Sequence, residues 1–208
     1  MRVVAIDGPV GSGKSTVARA VAERLGLPYL ESGAMYRIVA LAALQRGLDP
    51  ATDGSESLIT ALAADVAMDV GERMLVDGAD VTDELRRADV GRAVSPVAAM
   101  AGVRTELVRR QREWVAEHGG GVVEGRDIGS VVFPDAEVKV FLTASAAERA
   151  RRRERDETAE DLARRDLLDS TRAVSPLVVP PGAVVVDTTA RPVEDVVDEI
   201  VGMLGPRP

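Results

Sequence analysis

A chain of 208 residues with 46% hydrophobic and 29% charged side chains can bury one substantial core, and is too short for two roomy domains. Its net charge of −8 argues against a general binder of nucleic acid or anionic membrane, and 2% aromatics leave no stacking platform for single strands. The lack of cysteine excludes disulfides and thiolate chemistry, and one histidine, His118, excludes a histidine metal cluster.

The first predicted strand, Val3 to Ile6, runs into Gly8-Pro9-Val10-Gly11-Ser12-Gly13-Lys14-Ser15 and then into a helical pattern, Ser15 to Leu25. Val17, Ala18, Val21 and Leu25 share one face of that helix. The loop is G-x4-G-K-S between strand and helix, the context a phosphate loop requires. Its glycines let successive backbone N–H groups point at a β-phosphate, and the helix N-terminus adds partial positive charge. Lys14 would reach the β- and γ-phosphate oxygens, and the Ser15 hydroxyl would ligate Mg2+. Lysine occurs only at Lys14 and Lys139 among 26 basic residues, so an ammonium in this loop stands out against arginine. The segment from Gly8 to Thr16 is therefore the candidate ATP site.

That motif leaves the fate of the γ-phosphate open. A GTPase would carry N-K-x-D, which lysines at 14 and 139 alone do not provide. A transport ATPase shows an apolar strand ending in Asp. Ala183 to Asp187 has that shape, but as the last strand its Asp187 reads as a cap or turn residue. A small-molecule kinase fits best.

Further apolar runs predict strands at 28–30, 121–124, 138–142 and 183–187, and their near-continuous apolarity suggests burial on both faces of a parallel sheet. Helical patterns fall at 103–117, after Ser145 (whose spacing to Glu148 is that of a capping box) and from Pro192 onward. The alternation predicts an α/β fold with right-handed crossovers. Residues 34–104 interrupt it. There a short hairpin is expected, 66–70 with 74–76, turning at Gly71. We read this region as an inserted substrate-binding flap, not a separate domain.

Ligands of open α/β sheets bind beyond the carboxyl ends of the strands. Those ends carry Glu31-Ser32-Gly33-Ala34-Met35-Tyr36-Arg37, then Gly125-Arg126-Asp127-Ile128-Gly129, then the arginines from Arg149 to Arg153. Three arginine-bearing segments converging on the Lys14 rim suit a phosphate-rich substrate pair.

The chain resembles the bacterial cytidylate (CMP/dCMP) kinases, nucleoside monophosphate kinases of the P-loop class. The resemblance rests on IDGPVGSGKST, ESGAMYR, SPVAAMAGVRTELVRRQR, EGRDIGSVVFPDAEVKVFLTAS, ERARRR and RRDLLDSTRAVSPL. It implies a single P-loop kinase domain with a five-stranded parallel sheet flanked by helices. Core residues would be 1–31, 105–150 and 173–208, with a monophosphate-binding insertion at 32–104 and a short lid at 151–172. It also implies γ-phosphoryl transfer from Mg-ATP to CMP or dCMP. Ser32, Ser95, Arg104 and Asp127 match the family positions around the cytosine, with Tyr36 packed on the base; for Ser95 the competing reading is a cap or turn before Pro96. Arg37, Arg126 and Arg172 match the acceptor-phosphate positions, and Arg165 and Asp169 the ribose pair. From the wider kinase class, Arg149 would stack on adenine and Arg153 reach toward phosphate.

A phosphate acceptor needs no general base, in keeping with His118 lying in a loop as a surface residue. Catalysis would be positioning and charge neutralisation by Lys14, Arg126, Arg153, Arg165, Arg172 and Mg2+. Two other readings compete. One is a kinase for UMP or a small alcohol, with Asp127 the sole candidate base. The other is a non-catalytic nucleotide-binding regulator, against which intact Lys14, Ser15, Arg126 and Arg172 argue.

The bridge ERDETAED is shorter than in the family, so a reduced lid is expected. Arg165, Asp169 and Arg172 fall at i, i+4, i+7, one helical face. Glu154, Asp156, Glu157, Glu160 and Asp161 would form the solvated, salt-bridged face. A cytoplasmic monomer is expected, acting on small molecules without nucleic acid or membrane partners, since no stretch approaches about 18 uninterrupted apolar residues.

Overall fold

The computed structural model describes residues 1–52, 54–153 and 158–205, except the side chains of residues 153, 159 and 161. In chain order these form β1 (Arg2–Asp7), α1 (Lys14–Leu25), β2 (Tyr29–Glu31), α2 (Ser32–Gln45), α3 (Glu56–Asp65), β3 (Met68–Val70), β4 (Met74–Val76) and β5 (Ala79–Asp80). There follow α4 (Ala88–Ala99), α5 (Ala101–Glu117), β6 (Gly120–Gly125), β7 (Val138–Thr143), α6 (Ala146–Arg153), α7 (Ala159–Thr171), β8 (Val184–Asp187) and α8 (Val193–Gly202). The chain divides into two compact units, Met1–Leu30 with Trp114–Pro208, and Glu31–Glu113. The second unit thus takes in the region read as an insertion, and continues well into α5.

The first unit is built on a five-stranded sheet in the order β2-β6-β1-β7-β8. β1 runs parallel to β6, from Arg2 opposite Gly120 to Asp7 opposite Gly125, and parallel to β7 on its other side. A parallel central strand is covered on both faces, and five of the six β1 residues are buried, as its apolar run requires. Val4, Ile6, Val140 and Leu142 of the sheet pack with Val17 and Val21 of α1 and with Val196 and Ile200 of α8. Enclosing each such side chain contributes about 1.5–3 kcal/mol. The apolar stripe read in residues 15–25 is this contact, although Leu25 is only half-buried.

β8 departs from the expectation of two buried faces. It is one of the two edge strands, only Val186 is enclosed, and Val184 and Val185 are exposed. An edge position removes the neighbour that buried the other strands, so a valine run alone does not report it. The capping box is also half made. Ser145 Oγ accepts the Glu148 N–H at 3.2 Å, but the Glu148 carboxylate turns to Arg151 and Arg152 instead of returning. Asp187 does act as a turn residue, accepting the Thr189 N–H at 2.8 Å.

In the second unit α2 is buried along most of its length because SGAMYRIVALAALQ places alanines and branched apolars on nearly every side. It packs against α4, whose Val90, Ala93, Val94 and Val97 form the enclosed stripe. The hairpin is shorter than expected and gains a third strand. Met68–Val70 pairs with Met74–Val76, which pairs in turn with Ala79–Asp80. Val66 instead ends α3, its N–H bonded to Leu62 O at 3.0 Å. A two-residue strand is too short to show alternation. The turn alternative for Ser95 is overturned as well. Ser95 and Pro96 both lie inside α4, where proline forgoes one backbone bond without ending the helix.

Candidate active site

The loop between β1 and α1 is shaped by close approach. Gly8 has φ 150°, and a Cβ there would stand 2.1 Å from Leu142 O. Gly13 caps α1 in the left-handed region, φ 88°. Lys14 is buried, and its Nζ donates to Pro9 O at 2.8 Å. Burial, followed by the neighbouring Arg126 guanidinium, lowers the Lys14 pKa to about 7, while Glu124, Asp7 and Asp169 pull it upward.

The Ser15 hydroxyl donates to Glu124 Oε1 at 2.5 Å, and the Tyr29 hydroxyl donates to the same oxygen at 3.3 Å. The Arg19 guanidinium lies 4.9 Å from the Tyr29 ring centroid. In the sequence Glu124 is only the one acid of the strand GGVVEG. A buried carboxylate at the carboxyl end of β6 is the signal that could have marked it. Asp7 is marked in the sequence no more strongly, as the acid that closes β1. It is fully enclosed and accepts the N–H groups of Ile128 at 2.8 Å and Gly129 at 2.7 Å. Burial raises its pKa to about 6 against the opposing pull of those two amides.

Beyond β6, Arg126 Nε donates to Asp169 Oδ2 at 2.8 Å. Arg172 Nη2 lies 3.6 Å from Asp127 Oδ1, with both side chains about 5% exposed. Arg165 and Asp169 are buried on α7. Arg172 is one residue past the end of α7 and donates through Nε to Ser175 O, so the expected helical face is continued by the chain that follows the helix. Lys14, Arg126, Asp127, Arg165, Asp169 and Arg172 are thus all enclosed or half-enclosed charged groups of the first unit.

Arg149 bonds Val10 O at 3.1 Å and pairs with Asp166, which also accepts the Val10 N–H at 3.4 Å. This arginine, expected against adenine, therefore sits at the apex of the phosphate loop. A cavity of about 400 Å³ opens beside Gly13 and Thr16, lined by Val17, Arg151, Arg152, Thr188, Pro192 and Val193 among others. Arg152 is held by Gly11 O at 3.3 Å, Thr188 O at 2.8 Å and Glu148 at 2.8 Å. The Arg153 side chain lies outside the described residues, as do Glu154, Asp156 and Glu157 and the side chain of Asp161. Glu160 is exposed, as a solvated face requires.

The second unit carries the other expected acceptor residues. Ser32 is buried at the start of α2. Tyr36 is buried with the Arg104 guanidinium 5.5 Å from its ring centroid, and Arg104 Nη1 donates to Ala98 O at 3.1 Å. Arg37 donates to Leu85 O at 2.9 Å, and Ser95 is half-buried on α4. His118 follows α5 in an exposed turn, stacked on Trp114 at 4.1 Å and outside this group of residues.

The family model described as cytidylate kinase matches residues 4–205. The chain is 49% identical over 212 residues to a cytidylate kinase of Mycobacterium avium, covering 95% of this chain and 92% of that one. It is 46% identical over 221 residues to the cytidylate kinase of Rhodococcus opacus, covering 99% and 95%. Among solved structures it is similar in fold to TT1252 of Thermus thermophilus (TM-score 0.53, 19% identity, covering 99% and 98%). A shikimate kinase of Acinetobacter baumannii is similar in the same way (0.51, 16%, 98% and 92%). With a strand–loop–helix phosphate site and a match across nearly its whole length, the chain belongs to the cytidylate kinase family.

Proposed function

We propose that the protein transfers the γ-phosphoryl group of ATP to CMP or dCMP, giving ADP and CDP or dCDP. The observation that carries this reading is the burial of Lys14 beside Arg126, close enough that the guanidinium disfavours the lysine's charge. Protein interiors hold neighbouring cations only where an anion or acid repays the cost. Acids supply part of that here, and phosphate oxygens would supply the rest.

In the transfer, an acceptor-phosphate oxygen attacks Pγ, the bond from Pγ to the β-bridging oxygen breaks, and ADP leaves with its electron pair. Lys14 and Arg126 neutralise the charge spreading over the transferred group. Arg172 and Arg37 would hold the acceptor phosphate, with Arg165 and Asp169 at the ribose. Ser32, Tyr36, Ser95, Arg104 and Asp127 would read cytosine, whose exocyclic amine suits a carboxylate or hydroxyl and whose O2/N3 edge suits a guanidinium. Arg149 and Arg153 would act on the donor side. The cavity beside Gly13 has the size and mixed lining of a donor-base pocket, with the stems of Arg151 and Arg152 as one wall.

The Ser15 hydroxyl and Glu124 carboxylate are hard oxygen donors placed together at the phosphate loop, and they fit Mg2+. Bound there, Mg2+ would offset phosphate charge, with Ser15 and Glu124 orienting it and its water shell. On the same reading the reaction serves pyrimidine nucleotide metabolism in the cytoplasm, and the protein acts as a monomer.

A coupled assay with ATP and each of CMP, dCMP, UMP and AMP tests the proposal. Turnover with CMP and dCMP should exceed that with UMP or AMP by about tenfold or more in kcat/KM. Equal turnover with UMP or AMP overturns the cytidine assignment, and no turnover with any of them overturns the kinase reading.

A further inference from the structure

We infer that Asp7 is a positioning residue for the acceptor side of the site, its carboxylate holding the loop that presents Arg126 and Asp127. The inference rests on the functional reading above.

β1 ends at Asp7, opposite Gly125 in the parallel register with β6. A side chain at that position meets the chain as it leaves β6. Asp7 Oδ1 accepts the Ile128 N–H at 2.8 Å and Oδ2 accepts the Gly129 N–H at 2.7 Å. Both bonds are charge-assisted, and with Asp7 0% exposed no bulk water competes for them. One carboxylate bonded to two consecutive amides fixes the direction of both peptide planes as well as their position.

The residues directly before those amides are Arg126 and Asp127. The Asp127 carbonyl accepts the N–H groups of Val131 at 2.9 Å and Val132 at 3.2 Å, opening the π-type turn at Ile128–Val132. Gly129 is confined on its far side too. A Cβ there would lie 3.1 Å from Lys139 Cδ and 3.2 Å from Pro180 Cγ. The loop is therefore clasped from β1 and backed from behind, and only its Arg126–Asp127 limb turns to Asp169 and Arg172. Loosening the clasp shifts that limb. The phosphate loop makes its own backbone bond, Ser12 N–H to Pro9 O at 3.4 Å, which the clasp does not supply. The charged groups facing Asp7 are Asp127, which disfavours its ionisation, and Lys14, which favours it.

Asp7→Asn keeps the shape and one acceptor oxygen but turns an NH2 group toward one of the two amides. KM for CMP should rise about tenfold while KM for ATP stays within about threefold, the split expected of a positioning residue on one side of the site. The amide proton resonances of Ile128 and Gly129 should move, and those of α1 beyond its first turn, which begins at Lys14, should not. An equal rise in both KM values, or unmoved Ile128 and Gly129 resonances, overturns the inference. If the variant does not fold, the wild-type protein still decides. Without nucleotide, its Ile128 and Gly129 amides, both bonded to one enclosed carboxylate, should exchange with solvent slowly, and rapid exchange of either overturns the clasp. These amide readouts contain no substrate, so they stand apart from failure of the functional reading, which is wild-type inactivity toward CMP and dCMP.

Discussion

The Ser15 hydroxyl donates to Glu124 Oε1 at 2.5 Å, tying the first turn of α1 to the carboxyl end of β6. On the proposed reading, loss of charge at Glu124 should act through Mg2+ bound beside Ser15. Glu124→Gln keeps the volume, and its kcat should fall about 10–100-fold, partly recovered by raising Mg2+. Steady-state rates across a Mg2+ series check this. Wild-type kcat at ordinary Mg2+ would remove Glu124 from the site.

Lys14 links ATP binding to pH. Its folded-state pKa, lowered to about 7 from 10.5, means the folded protein holds fewer protons here than the unfolded chain between those values. The Lys14 contribution to stability therefore rises as pH rises from about 7 toward 10.5. Phosphate oxygens favour the ammonium, so ATP binding near about pH 8 should take up close to one proton. Titration calorimetry in buffers of different ionisation enthalpy measures that uptake directly. Zero net uptake would contradict a neutralised Lys14.

Arg126 is held by Asp169 through Nε at 2.8 Å, and Nη1 also donates to Gly125 O at 3.4 Å, so the five-donor fork keeps further N–H groups for a ligand. Arg126→Lys has no such fork, and kcat/KM for CMP should fall by about two orders of magnitude. ATP affinity, measured separately by fluorescence or calorimetry, should change far less. A loss of equal size in both would make Arg126 a donor-side group.

Asp127 faces Arg172 at 3.6 Å, with both side chains nearly enclosed. Asp127→Ala leaves that guanidinium without this carboxylate and removes an acceptor for an exocyclic amine. KM for CMP should increase about tenfold or more, with ATP binding little altered. An unchanged KM for CMP would exclude Asp127 from base reading.

Ile6 lies at the centre of the first unit, fully enclosed between α1 and α8 residues and the flanking strands. Ile6→Ala should cost about 2–5 kcal/mol and Ile6→Val about 0.5–1.5 kcal/mol in denaturant unfolding. Val185, exposed on the edge strand, should tolerate threonine within about 0.5 kcal/mol. Comparable losses at both positions would mean that β8 is covered in solution.

Local chemistry makes much of this protein readable from its sequence alone. The glycines, Lys14 and Ser15 announce a phosphate loop because wrapping backbone around phosphate requires those residue types in that order. Five β-branched runs separated by helical periods announce a parallel sheet, since period and turn chemistry are properties of the chain itself. Only tertiary structure decided the rest. Nothing adjacent in sequence shows that Asp7 would meet Ile128 and Gly129, or that Glu124 would meet Ser15, because those pairs are 109 to 122 positions apart and are joined by strand register. The exposure of Val184 and Val185 is equally hidden, since their apolarity matches that of the central strands and only sheet order places them at an edge. Arg149 shows the same division. Its helix and its charge are written in the sequence, but its alignment with Val10 and Asp166 depends on packing between elements that the sequence keeps apart.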